Sequence, residues 1–336
     1  MFVNPWSLAL CLLSGITLFL ILVACKTAVK VLRHWDPAAD SQRQIELESE
    51  IWLSSTLVQY GLAFQIISLL LYVLAADHFS GMLSGAMCAT GALLANDYGL
   101  PLLIVKIAGM FLYGLWIVLH QLDISSEKYP LVRLKYVLLL LIAPLLLADT
   151  ALLILYLQGL KPDVFTSCCA VIFGEGDKGS LQNLLGGMGS QTTLGVYYSW
   201  LALLFMAGFL AWRRQKIILY LLYGTAMALF FVLALHTLIT QLSSYIYAMP
   251  FHNCPFCMLK REYGYIGFFI YLPLFVTAFC GVMPMLIHLC RAQGILAPTV
   301  ARVQEKLVAV SLFALALYAV LSSYPYLLYL LKGGEG

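Results

Sequence analysis

Charge is scarce in this sequence. Of its 336 residues only 10% are Asp, Glu, Lys or Arg, where a soluble globular domain carries about a quarter. A chain this poor in charge, with 62% hydrophobic residues, would not stay in water as a monomer. Several motifs are missing as well. There is no Walker sequence, no dinucleotide glycine fingerprint and no Cys-x-x-Cys-His, which argues against ATP hydrolysis and covalently attached haem. The net charge of +3 is small and its basic residues are scattered between apolar runs, so nucleic acid is not an expected partner. The first apolar run lacks a basic n-region and is too long for a signal-peptide core, so a retained helix is expected there.

What the sequence has in abundance is long apolar runs. Eight are found, at residues 6–31, 53–76, 101–122, 134–158, 196–212, 217–242, 265–290 and 307–331. Each holds roughly 20 apolar residues, enough for a helix to cross a bilayer core of about 30 Å. Hydrocarbon cannot satisfy an open backbone, so the runs are expected to be helices. The fold class is therefore all-α: a polytopic membrane bundle of about eight helices, read as one integral membrane domain over 1–336. Lipid is its first partner.

Orientation follows from the loop cations. One alternating set of loops holds Lys26, Lys30, Arg33, Arg43, Lys128, Arg133, Lys135, Arg213, Arg214, Lys216, Arg291, Arg302 and Lys306. The other holds only Lys161, Lys178, Lys260, Arg261 and Lys332. The richer set reads as cytoplasmic, which puts both termini and the loops 77–100, 159–195 and 243–264 outside. Trp6, Trp52, Tyr197, Tyr198, Trp200, Tyr245 and Tyr247 read as interfacial aromatic belts. The acidic stretch 35–50 is expected to be a short surface helix joining the first two spans. Outward cysteines facing an oxidising compartment fit a bacterial inner membrane.

The nine cysteines divide cleanly. Cys11, Cys25, Cys280 and Cys290 lie in spans, where a thiol packs as a small apolar group. Cys88, Cys168, Cys169, Cys254 and Cys257 all fall in the outward loops. The sharpest motif is His252-Asn253-Cys254-Pro255-Phe256-Cys257, a Cys-x-x-Cys pair that can close and reopen a small disulfide ring. The first thiol of such pairs often has a lowered pKa, Pro255 stiffens the turn, and a protonated His252 beside it would favour the thiolate. The run from Cys254 to Leu259, entering an apolar helix, resembles the active-site segment of the vitamin K epoxide reductase family. It is also similar to the motif of thioredoxin-like oxidoreductases. That six-residue resemblance implies thiol–disulfide exchange at Cys254 and Cys257.

Thr166-Ser167-Cys168-Cys169 is the second thiol site, and Cys88 the fifth thiol. Adjacent cysteines close a disulfide only with strain and serve more often as paired soft ligands or as thiols with separate partners. If the helix-hairpin tips converge, all five thiols form one cluster. Three readings stay open. The thiols form a redox relay, with Cys168, Cys169 and Cys88 as shuttle or resolving groups and a soluble thioredoxin-like protein or a cytochrome as partner. They bind or transport a soft metal such as Cu(I) or Hg(II), with Met82, Met87, Met258 and His252 near them. Or they form static disulfides in a passive membrane subunit. The glycine-rich stretch 161–194 is expected to be a lid over the cysteine tips.

Ionisable groups inside spans are costly and usually functional. Lys106, Asp149 and His236 fall at similar depths of the third, fourth and sixth spans. A buried Lys106–Asp149 pair with His236 near it is expected, either as a packing device or as a proton relay or quinone-headgroup site. His120 and His288 read as interface residues, and Pro144, Pro273, Pro284 and Pro325 as helix kinks.

Overall fold

The computed structural model describes residues 4–36, 41–126, 128–161, 190–249, 252–292 and 294–332. All regular structure in them is helical, with no strand among the described residues. Among the described residues eight helices are long and apolar enough to cross a membrane, as the sequence predicts. Cys168, Cys169 and most of the expected lid lie outside the described residues.

The chain divides into two compact units, 1–166 and 167–336. The first contains α1 (Pro5–His34), α2 (Gln42–Ser80), the short α3 (Ala89–Leu93), α4 (Gly99–Ile124) and α5 (Val132–Gly159). Within it α1 packs on α2 and α5, and α4 on α2 and α5. The second contains α6 (Ser190–Arg214), α7 (Ile217–Thr237), α8 (Ile266–Ile287) and α9 (Ala297–Leu331). There α8 packs on α7 and α9, and α6 on α7 and α9.

Sequence explains which faces meet. The buried stripe of α1 is Ser7, Leu10, Ser14, Thr17, Ile21, Ala24, Ala28 and Val31, rich in small and hydroxyl residues. Small side chains let helix backbones approach where lipid supplies no hydrophobic drive between helices. Large apolar side chains point outward instead: Leu12, Phe19, Ile104, Leu141, Leu272 and Phe313 are all exposed. Apolar surface this extensive suits lipid and not water. In the second unit hydroxyls join three helices. Thr277 Oγ1 of α8 donates to the Ser311 carbonyl of α9 at 2.8 Å, Ser311 Oγ donates back to the Thr277 carbonyl at 2.9 Å, and Tyr223 Oη of α7 lies 2.8 Å from Ser311 Oγ.

Some boundaries differ from expectation. Residues 42–50 form the first turns of α2, not a separate surface helix. Ser41 caps them by accepting from Gln44 N at 3.3 Å, and no proline or glycine interrupts the helix formers before Trp52. The sixth span also runs on. After α7 comes a π-helical turn, Leu238–Leu242, and then one more α turn, Ser243–Tyr247. Pro144, Pro273, Pro284 and Pro325 do lie inside helices.

Candidate functional site

The Cys-x-x-Cys segment sits in the second unit between the end of the sixth span and the start of α8. Ala248, in the left-handed region at φ 53°, turns the chain out of the helix. Asn253 and Cys254 have no regular structure, Pro255 and Phe256 form a turn, and Cys257–Leu259 form a 3-10 turn closed by Leu259 N and Lys260 N donating to the Phe256 and Cys257 carbonyls. Gly264 and Tyr265, both at positive φ, then lead into α8. Both cysteines are buried, and their sulfurs lie within 4.8 Å of one another. That separation allows a small movement to join them and equally allows both to face one ligand.

Two flanking spans hold this segment by its backbone. Tyr247 Oη donates to the Cys254 carbonyl and accepts from Met258 N at 2.9 Å. Tyr271 Oη of α8 donates to the Pro255 carbonyl at 2.8 Å. Ser243 Oγ lies 3.3 Å from Asn253 Oδ1. Gly267 permits the close seating on α8: a Cβ there would lie 2.6 Å from Met258 Cγ and 3.0 Å from the Met258 backbone carbon. The π turn stands directly before the two clamping residues Ser243 and Tyr247. Hydroxyls satisfy its loosened backbone, since Thr240, Ser243 and Ser244 donate to the carbonyls of His236, Ile239 and Gln241. Such turns are frequent at functional sites.

Aromatic rings surround the thiols. His252 packs edge-on against Tyr247 at 4.5 Å, and Tyr263 meets the same ring at 4.6 Å. The buried Nε2 of His252 has no hydrogen-bond partner among the described residues. Burial, and after it the charges of Cys257, Glu262 and Cys254, hold the Tyr263 phenol above the ordinary tyrosine range. By sequence Tyr247 reads as part of an interfacial belt. It is 5% exposed and organises the cysteine loop.

In the first unit the expected intramembrane pair is formed. Lys106 Nζ lies 3.1 Å from Asp149 Oδ2, with both side chains 1% exposed. Lys106 also donates to Ser68 Oγ at 3.0 Å, and Gln65 donates to the same carboxylate oxygen. Asp149 Oδ1, Gln65 Oε1 and Tyr113 Oη are buried with no hydrogen-bond partner among the described residues. His236 belongs to the second unit, half-buried in α7. Cys88 belongs to the first, buried at the N-terminus of α3.

A second buried pair was not anticipated. Lys135 Nζ of α5 lies 2.8 Å from Asp123 Oδ2 of α4, with exposures of 1% and 0%. By sequence Lys135 reads as one of the loop cations. Its place beside Asp123, across a connection of only a few residues, is the sequence signal for the pair. His120, expected at the interface, is buried and stacked on Trp116 at 5.3 Å. No protein-family model matches this chain, and neither a curated protein nor a solved structure matches it.

Proposed function

We propose that this chain is a membrane thiol–disulfide redox protein whose exchanging pair is Cys254 and Cys257. The observation that carries the reading is two buried sulfurs within 4.8 Å, on a loop whose backbone is fixed from both sides by tyrosine hydroxyls. Preorganised backbone with nearby sulfurs favours forming and breaking one ring over capturing scattered partners. The likeness of Cys254 to Leu259 to the vitamin K epoxide reductase segment supports the same chemistry. In the step proposed, one thiol of the pair attacks the disulfide of a soluble thioredoxin-like partner, which releases one partner thiol and forms a mixed disulfide, and the second thiol then attacks the first cysteine's sulfur in that mixed disulfide and releases the other partner thiol. The pair loses two electrons and two protons and becomes a disulfide, and the partner leaves as a dithiol. The reverse direction runs through the same mixed disulfide. By the distribution of loop cations the loop faces outward from a bacterial inner membrane, as do both termini.

The Lys106–Asp149 pair supports a proton-handling role more than a quinone site. It is closed off by Ser68 and Gln65, while the unpartnered Asp149 Oδ1 and Tyr113 Oη suit a water or a proton in transit.

Thiol trapping in intact cells tests the proposal. A membrane-impermeant, mass-shifting alkylator is applied with and without prior mild reduction to wild type and to Cys254→Ser/Cys257→Ser. The expected result is a fraction of the pair that labels only after reduction and that shifts with respiratory conditions. Labelling that is complete without reductant, and is blocked by Cu(I), would transfer the site to soft-metal binding. A pair that resists all but harsh reduction would make it a structural staple.

A further inference from the structure

The end of the second unit away from the cysteine loop is basic, and its charge is not balanced. The loop precedes α8, and α8 finishes at the opposite end in a 3-10 turn, His288–Ala292. Contacts bring two more stretches to that level. Gln304 of α9 donates through Nε2 to the Pro284 carbonyl at 2.8 Å and lies 3.2 Å from His288 Nδ1. The Tyr220 ring of α7 meets the His288 ring at 5.9 Å. Arg302 and Lys306 stand within one turn of Gln304, and Arg213, Arg214 and Lys216 lie at the short connection from α6 to α7, just before Tyr220.

Residues 213–216 and 291–306 hold six Lys or Arg and one acid, Glu305. Among the described residues no ion pair engages any of the six. The first unit shows that such an excess is not needed to orient spans. At its end with the α1–α2 and α4–α5 connections, residues 26–50 and 123–135 hold seven Lys or Arg and seven Asp or Glu. Cations set orientation and acids count little, so acids beside the cations of the second unit would have cost nothing in orientation. Like charges gathered at one end repel, and an anion from outside offsets that repulsion.

The local structure adds a built element to the charge. Gln215, at φ 49°, makes the tight turn between α6 and α7, and Arg213 Cζ lies 5.9 Å over the Phe209 ring. The Arg291 charge acts on both Tyr220 and His288. Tyr220 Oη and Gln304 Oε1 are buried and have no hydrogen-bond partner among the described residues, and both residues are 0% exposed. Buried polar atoms are ordinarily satisfied. A phosphate oxygen can accept from the first, and a headgroup hydroxyl can donate to the second. His288, which packs against both residues, is only half-buried, so the two oxygens lie one side chain beneath the surface. Apolar side chains are exposed among the cations, namely Trp212, Ile217, Ile218, Leu289 and Ile295. An amphiphile suits both kinds of surface, with acyl chains on the apolar groups and phosphate on the cations. A soluble acidic protein would suit only the second.

We propose that this end of the second unit binds an anionic phospholipid, its phosphate held by Arg291 and by the cations of the α6–α7 connection. No residue of the cysteine loop takes part, and the proposal stands whichever way the thiol reading falls.

Full-length protein, purified in a neutral maltoside detergent and stripped of lipid, is titrated with phosphatidylglycerol and separately with phosphatidylethanolamine, and bound lipid is counted by native mass spectrometry. Phosphatidylglycerol should bind about tenfold tighter or more. Raising the salt should narrow that gap, because exposed charge is screened. Each cation near the surface is worth roughly fivefold, so Arg291→Gln should weaken phosphatidylglycerol by about that factor and Arg213→Gln/Arg214→Gln by about twentyfold. The second variant alters only exposed side chains and decides the matter if the first fails to fold. Lys161→Gln/Lys332→Gln removes two charges elsewhere and should bind as the wild type does. Equal binding of the two lipids by the wild type overturns the proposal. So does a folded Arg213→Gln/Arg214→Gln protein binding within about twofold of wild type, or an equal loss in the Lys161→Gln/Lys332→Gln control. Displacement of the lipid by polyglutamate at equal concentration would make the surface a dock for an acidic protein and overturns it as well.

Discussion

Tyr247 carries more of the candidate site than either its neighbours or its position in a span would suggest. One hydroxyl satisfies the Cys254 carbonyl and the Met258 amide together. Tyr247→Phe leaves both buried groups without that partner, at about 1–3 kcal/mol each. Its unfolding midpoint should fall, and Cys254 and Cys257 should alkylate faster at neutral pH. Gly267→Ala acts on the same loop from the other side. Its methyl meets the Met258 backbone carbon at 3.0 Å, so the same reactivity assay should show a loosened loop with all hydroxyls intact. The Tyr263 phenol gives a pH readout. Its neutral form is favoured in the folded protein, so it should ionise above the ordinary value of about 10. The stability it contributes is complete below that value and fades as pH rises through the folded one. Ultraviolet difference titration against Tyr263→Phe measures it, and Cys254→Ser/Cys257→Ser should lower the midpoint by removing two nearby charges. At this scale the cysteine motif was legible from spacing, because it is local. The clamping tyrosines were not, because an aromatic near a membrane surface looks the same whether it faces headgroups or a buried carbonyl.

At the scale of elements, α4 and α5 are joined by two ion pairs of opposite sense. Lys106 of α4 meets Asp149 of α5, and Asp123 of α4 meets Lys135 of α5. Removing one member leaves an uncompensated buried charge, so Lys106→Met should cost about 3–5 kcal/mol. Lys106→Met/Asp149→Leu should recover most of that loss, as read by thermal unfolding in detergent. If the single and double variants unfold alike, the pair is not what joins these helices. The first pair was legible because charge inside an apolar run is conspicuous and depth can be counted along two spans. The second was hidden by its place beside a short connection, where Lys135 looked like one more loop cation. The π turn at Leu238–Leu242 left no sequence trace either, since threonine and serine in a span do not by themselves announce which carbonyl they will satisfy.

At the scale of the whole molecule, the eight spans were readable in full because the bilayer imposes a minimum length on each apolar run. The grouping into two compact units was not, since it depends on which faces meet and not on how many spans there are. Among the described residues each unit has four candidate spans. A protease site inserted within residues 162–189 should therefore yield two fragments that both resist carbonate extraction after cleavage. Release of either fragment would show that its spans depend on the uncut chain.

The opposed ion pairs bear on how the first unit responds to voltage. Lys106 and Asp123 are the only formally charged residues of α4, and they lie 17 residues apart, about 25 Å along the helix. A membrane potential pulls them in opposite directions. Sliding α4 rigidly through the field therefore does almost no net electrical work, where one unbalanced charge crossing it would contribute about 2.3 kcal/mol per 100 mV. The helix that carries both buried pairs should hold its register equally well in an energised and a collapsed membrane.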